Sequence, residues 1–223
     1  MKVCCFDLDD TLYKEIDYLK SAYQEIASYA AEHCHGSSAP MVVLAHKAYM
    51  EMLAAYQEGA NAFERLNAFL GLNLPITDFL FLYRNHRPHI TLTEDVVQTL
   101  DELKNQGVRI GLITDGRSVQ QRNKIEALGL RRWIEEEDII ISEEFGSGKP
   151  ALANFEYFMK RNPECQDFTY VGDNTRKDFI APHTLGWTTV CLLDDGRNVH
   201  KQEFEDETKH MITRLIEHLS LLL

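Results

Sequence analysis

The chain opens on a short apolar run, Val3–Phe6, that stops at Asp7, the pattern of a buried parallel strand. From about residue 16 to residue 87 strand patterns vanish. Leu19, Ala22, Ile26 and Ala30 lie on one helical face, and Gly36-Ser37-Ser38 interrupts it. A second helix is predicted over about Met41–Tyr56, stopped by Gly59, and a third over Phe63–Leu70, stopped by Gly71. A fourth starts near Pro75, a favoured first helical residue, and ends before Pro88. Four helices within about 70 residues make a small bundle.

After Pro88 helices and strands alternate. Thr93 is the expected N-cap of a helix with Glu94 and Asp95 in its first turn, a buried stripe of Val96, Leu100 and Leu103, and Gly107 as its stop. Strands follow at Val108–Ile113, Ile139–Ile141, Phe168–Val171 and Thr188–Leu192. Helices are expected at Ser118–Leu128, Leu152–Lys160 and Lys177–Leu185. A last amphipathic helix would carry Met211, Leu215 and Leu219. Such alternation implies right-handed βαβ units, hence an α/β fold with a Rossmann-like parallel sheet covered by helices on both faces. The organisation expected is a core of residues 1–15 and 88–223, interrupted by an inserted four-helix domain over 16–87.

Ligands of such sheets bind beyond the carboxyl ends of the strands. The first strand ends in Asp7-Leu8-Asp9-Asp10-Thr11, the second in Thr114-Asp115-Gly116 and the fourth in Gly172-Asp173-Asn174, with Asp178 a turn further on. The loop after the third carries Gly148-Lys149-Pro150. Asp7, Asp9, Asp173 and Asp178 are therefore expected in one cleft beside Lys149 and Thr114. Crowded carboxylates need a cation, and an all-oxygen donor set selects a hard one such as Mg²⁺. Lys149 suits a phosphate oxygen as a point charge, while the Thr114 hydroxyl and the N–H groups after it can donate to the others. Asp7 and Asp9, two apart on an extended end, let one attack while the other handles protons, and carboxylates form aspartyl-phosphates.

Composition narrows the field further. The 223 residues suffice for one large domain or a core with an insertion. With 23 Lys and Arg against 35 Asp and Glu, the net charge of −12 disfavours nucleic acids and anionic membranes as partners. No apolar run reaches the roughly 18 residues that span a bilayer. Met1-Lys2-Val3 runs straight into the first strand, so a signal peptide is not expected. The five cysteines (Cys4, Cys5, Cys34, Cys165 and Cys191) are scattered, so disulfides are not expected and a reducing, cytoplasmic setting fits. No obligate protein partner is evident.

The ordered set Asp7-x-Asp9-x-Thr11, Thr114, Lys149-Pro150 and Gly172-Asp173-Asn174-x3-Asp178 resembles the haloacid dehalogenase-like hydrolase superfamily over essentially the whole chain. The helical insertion after the first strand looks like the cap domain of its large phosphatase branch. The resemblance implies a Mg²⁺-dependent phosphatase of a small phosphorylated metabolite, such as a sugar phosphate or nucleotide. It assigns Asp7 as nucleophile and metal ligand. Asp9 becomes the acid and base whose backbone carbonyl also binds the metal. Thr114, Asp115 and Lys149 fall at the phosphate, Asp173 at the metal, and Asp178 with Asn174 behind them. A phosphomutase of the same superfamily and, more remotely, a non-catalytic binding module are the alternatives. A 2-haloacid dehalogenase needs neither an acid at position 9 nor a metal. One departure is Asp115, where many members carry Asn; an added acid there can shape substrate choice.

Other features read more simply. Asp10 is expected as a turn and cap residue, and Asp194-Asp195-Gly196 as a turn. Gly146-Ser147-Gly148-Lys149 is no nucleotide loop, because position 143 is Glu and Pro150 stands where Ser or Thr is required. His33-Cys34-His35 reads as a solvated helix end, Cys4 and Cys5 as core, and the Tyr and Met residues of Tyr49–Tyr56 as bundle core. Arg84, Asn85, His86 and Arg87 read as a basic helix end or as a substrate contact. Arg117 poses the same choice.

Overall fold

The structure is a computed structural model that describes residues 1–34 and 39–223. His35 and the Gly36-Ser37-Ser38 interruption lie outside the described residues. The chain divides into two compact units, Met1–Ile16 with Thr91–Leu223, and Asp17–Ile90.

The first unit holds a six-stranded sheet in the order β3-β2-β1-β4-β5-β6, every neighbouring pair parallel. Its strands are β1 (Lys2–Phe6), β2 (Arg109–Thr114), β3 (Ile139–Ile141), β4 (Asp167–Gly172), β5 (Thr188–Leu192) and β6 (Arg214–Ile216). Consecutive residues of β1, β2 and β5 are buried without alternation, as happens when both sheet faces are covered. Between the strands run α5 (Glu94–Asn105), α6 (Ser118–Ala127), α7 (Ser142–Phe145), α8 (Ala153–Arg161), α9 (Ile180–Thr184) and α10 (Asp206–Lys209). Val3, Cys5, Ile113, Phe155, Phe158, Tyr170 and Trp187 form one core cluster under the central strands.

Two expectations in this unit need correction. The helix expected through Met211, Leu215 and Leu219 is instead β6. Thr213 donates its N–H to Thr189 O (3.0 Å) and Leu193 donates to Ile216 O (2.8 Å), so the open edge of β5 captures the segment. Ile216 is buried and Leu215 is 55% exposed, which is strand alternation and not a helical stripe. The helix expected from Lys177 begins only at Ile180, leaving Asp178 in a turn. Thr93 does stand at the N-cap of α5, but its side chain accepts no capping bond.

The second unit contains α2 (Met41–Gln57), α3 (Ala62–Leu70) and α4 (Ile76–Asn85), together with nearly all of α1 (Glu15–Glu32). Tyr18, Ala22, Ile26, Met52, Leu66 and Phe79 are buried in it. Asn61 caps α3 by accepting the N–H groups of Phe63 (3.0 Å) and Glu64 (3.3 Å). Of the residues Tyr49, Met50, Met52 and Tyr56 only Met52 is buried, because that position faces the bundle while Met50 turns to solvent. His33 follows α1 with its ring against Tyr29 O, and Cys34 Sγ reaches Leu70 O.

The 84–87 stretch resolves into two kinds of residue. Arg84, Asn85 and Arg87 are exposed, whereas His86 is buried between Ser21 and Glu25. Ser21 Oγ lies 2.7 Å from His86 Nε2 and accepts the His89 N–H at 3.0 Å. The Ser21–His86–Glu25 order is that of a hydrolytic triad, but the hydroxyl is buried and shared with a backbone amide, so it ties the end of α4 to α1. Ser21→Ala removes the hydroxyl that accepts the His89 N–H and pairs with His86 Nε2, and should cost about 1–3 kcal/mol of stability in urea unfolding. An unchanged midpoint would contradict this role.

Candidate active site

The sheet order reverses direction between β1 and β4, and the chain leaving those two strands supplies the first pair of acids. Asp7 extends the β1/β4 ladder by donating its N–H to Val171 O (2.9 Å), which fixes its backbone at the sheet edge. Its Oδ1 accepts the Leu8 N–H at 2.8 Å. Asp173 follows β4; Asn198 Nδ2 donates to its Oδ2 (3.0 Å) and Thr11 Oγ to its Oδ1 (3.3 Å). Asp7, Asp9, Thr114, Asp115, Asp173 and Asn174 all line one cleft.

Lys149 and Asp178 do not line that cleft but lie beneath it, with side chains fully buried. Lys149 Nζ sits 2.8 Å from Asp7 Oδ1 and 2.8 Å from Asp178 Oδ1, and donates to the Tyr170 hydroxyl at 2.9 Å. The other Asp178 oxygen accepts the N–H groups of Asp173 (3.1 Å) and Asn174 (2.8 Å). One carboxylate thus holds both the lysine and the loop after β4. Gly172 makes room for it, since a Cβ there would fall 2.4 Å from Asp178 Oδ2. Burial opposes the Lys149 charge, yet Asp178 and Asp7 hold its ammonium well above the ordinary lysine range.

Thr114 is buried at the end of β2. Both oxygens of Asp115 are engaged by lysines, Oδ1 accepting the Lys149 backbone N–H (3.0 Å) and Oδ2 facing Lys177 Nζ (2.8 Å). This acid therefore joins two loops of the site. Asp10 adopts a left-handed φ of 57° and accepts the N–H groups of Glu15 (2.9 Å) and Val199 (2.8 Å), the geometry of a turn and cap residue. Asp194 Oδ1 accepts the N–H groups of Gly196, Arg197 and Asn198, so that segment is a turn. Arg117 is exposed and paired with Glu143.

Residues that the sequence did not single out surround Asp9. Tyr13 OH (2.5 Å) and Lys124 Nζ (2.7 Å) donate to its Oδ1, and Gln121 Nε2 donates to its Oδ2 (2.9 Å). Burial pushes the Asp9 carboxyl up, but Lys124 and these hydrogen bonds outweigh it and keep the group below the usual range. Glu15, also on the cleft, is pushed up to about 7 by burial and by Asp9, against Lys124. The available signal was that Gln121 and Lys124, three apart, occupy the face of α6 that an apolar stripe would fill.

The remaining acids are under-compensated. Burial raises Asp7 to about 7 despite Lys149, with Asp178 adding to the rise. Burial and the charges of Asp7, Asp178 and Asp10 raise Asp173 to about 9. Asp7, Asp173 and Asp178 each place an oxygen within 4.8 Å of the others. Asp178 is committed to Lys149 and two amides, so Asp7 and Asp173 are the carboxylates short of positive charge. An all-oxygen set in that condition fits a hard divalent cation.

A family model for haloacid dehalogenase-like hydrolases matches residues 4–192. The chain belongs to that family. A glyceraldehyde 3-phosphate phosphatase of Methanocaldococcus jannaschii is 31% identical over 229 residues, covering 97% of this chain and 96% of the relative. Another from Pyrococcus furiosus is 31% identical, covering 100% and 93%. The expectation of a haloacid dehalogenase-type phosphoric monoester hydrolase agrees with these relatives. The crystal structure of the HAD-hydrolase YfnB from Bacillus subtilis shares the fold at a TM-score of 0.65 and 20% identity, covering 99% of this chain and 96% of that one. Among the described residues no helix is long and apolar enough to cross a membrane.

The raised acids give a signed pH dependence. With folded values of about 7 and about 9 against an ordinary carboxyl value of 3.8, Asp7 and Asp173 favour the fold when protonated, and that contribution is lost as pH climbs through 7 and then 9. Melting temperature in chelator should therefore fall between pH 6 and pH 9. Added Mg²⁺ should raise it more at pH 8 than at pH 6, because the cation binds the ionised acids. An equal Mg²⁺ shift at both values would contradict the assignment.

Proposed function

We propose that this chain is a Mg²⁺-dependent cytoplasmic phosphatase that releases inorganic phosphate from a small, soluble sugar-phosphate-like monoester through an aspartyl-phosphate on Asp7. The observation that carries the reading is Asp7 itself, fixed by the sheet edge and held 2.8 Å from a buried lysine that opposes its charge and could also meet a phosphate oxygen. Asp7, Asp173 and the backbone carbonyl of Asp9 would hold Mg²⁺, whose positive charge would offset that of the phosphate and the acids.

The chain's own groups then perform the transfer. An Asp7 oxygen forms a bond to phosphorus as the bond to the leaving oxygen breaks, and the leaving oxygen takes a proton from the minor protonated form of Asp9, a strong donor because its surroundings favour the carboxylate. Ionised Asp9, the form its three donors favour, next accepts a proton from the water that attacks the phospho-enzyme. Phosphate departs with a water oxygen, and Asp7 is regenerated. The Thr114 hydroxyl accepts from Gln121 (2.7 Å), so its own proton is available to the phosphoryl group.

Every residue invoked so far belongs to the sheet-bearing unit and addresses the phosphoryl group. Selection among metabolites is assigned in this proposal to the helical unit. The two archaeal relatives named for glyceraldehyde 3-phosphate support a substrate of about that size. A panel of sugar phosphates, including glyceraldehyde 3-phosphate, together with nucleotides and a phosphopeptide, assayed with Mg²⁺ for free phosphate, tests the proposal. The expected result is phosphate release from small sugar phosphates and little from the phosphopeptide. An isomerised sugar phosphate without free phosphate would point to a mutase instead.

A further inference from the structure

The buried face of α6 carries a charge and an amide where packing alone would put apolar side chains. Gln121, Lys124 and Ile125 are its buried residues, and the first two are each 1% exposed. A lysine removed from water in this way rarely gains net stability from its ion pair, because desolvation opposes the attraction. What the two side chains do is grip one carboxylate. Lys124 Nζ and Tyr13 OH take Oδ1 of Asp9, and Gln121 Nε2 takes Oδ2, so neither oxygen can rotate away. Gln121 Nε2 also donates to Thr114 Oγ, which ties the orientation of Asp9 to that of a hydroxyl on the neighbouring strand end. Lys124 lies a further 3.6 Å from Glu15 Oε1, on the first residue of α1. Gly116 leaves space for the amide, since a Cβ there would lie 3.1 Å from Gln121 Cγ.

We propose that Lys124 and Gln121 are positioning residues that fix the Asp9 carboxylate relative to Thr114, and so hold the proton-transfer group in line with the bound phosphoryl group. The inference rests on the reading of Asp9 as the acid and base. A carboxylate free to swing would spend little time in the one orientation that reaches the leaving oxygen or the attacking water, and misplacement on the ångström scale is costly in rate.

A double-mutant cycle on the full-length protein tests this, using Lys124→Met, Gln121→Met, Asp9→Asn and the two combinations with Asp9→Asn. The readouts are kcat and KM on p-nitrophenyl phosphate with Mg²⁺, and melting temperature monitors the fold. Lys124→Met should lower kcat about 10- to 100-fold, at or below the low end of what a general acid–base contributes because the group itself remains, with KM within about twofold. In the Asp9→Asn background the same substitution should change kcat less than about twofold, because the group it positions is gone. Full additivity with Asp9→Asn, or a KM-only effect, would overturn the proposal. An Asp9→Asn enzyme of normal activity would instead overturn the acid–base reading beneath it. A kcat loss in Asp9→Asn alone, with both helix variants unaffected, would overturn the positioning proposal and leave that reading standing. Should Lys124→Met fail to fold, Gln121→Met carries the same cycle with the same criteria.

Discussion

The buried bridge from Asp7 through Lys149 to Asp178 is the interaction on which the rest of the site depends. It joins the ends of β1 and β4 with the loop that follows β3, three elements that meet only because the strand order brings β1 beside β4. A lysine ammonium without exposure is tolerable only beside opposite charge, and removing either acid would leave it one carboxylate in place of two. Asp178 reaches it because Gly172 has no side chain and because the loop amides of Asp173 and Asn174 turn toward the second oxygen. Hence the same acid shapes the loop that presents Asp173 to the cleft.

Around that bridge charge is distributed unevenly. Asp9 and Asp115 have cationic neighbours, Lys124 for the first and Lys177 with Lys149 for the second, and both stay below the ordinary carboxyl range although burial opposes it. Asp7 and Asp173 lack equal compensation and are driven upward. The contrast separates the acids by environment and marks where a cation is wanted. It also suits the proposed division of labour, with Asp9 favoured as a carboxylate for the hydrolytic step beside the acids that would hold the metal.

Much of this was legible in the chain. Strands that end at once in Asp7, Thr114 and Asp173 announce a parallel sheet with chemistry along its carboxyl edge, and the spacing of these residues carries the family resemblance. Less visible was anything decided by tertiary context. The segment at Met211–Leu219 has a helical repeat, yet the unsatisfied edge of β5 converts part of it to strand. Asp178 is helical by local pattern, but its bonds to two upstream amides hold it in a turn. Gln121 and Lys124 share the buried face of α6 with Ile125, a weak signal, and only their bonds to Asp9 and Thr114, at the ends of β1 and β2, reveal what they hold. His86 appeared among exposed basic neighbours, although its partners Ser21 and Glu25 lie more than sixty residues away.

Covalent transfer to Asp7 is the central step of the proposed reaction. The direct measurement is acid quenching of the Mg²⁺-loaded enzyme during turnover of a ³²P-labelled phosphomonoester that the panel identifies, followed by peptide mapping. Label is expected on the peptide that contains Asp7, with its loss on hydroxylamine treatment as for an acyl phosphate, and none in Asp7→Asn. Turnover that continues in Asp7→Asn, or label carried by another residue, would contradict it.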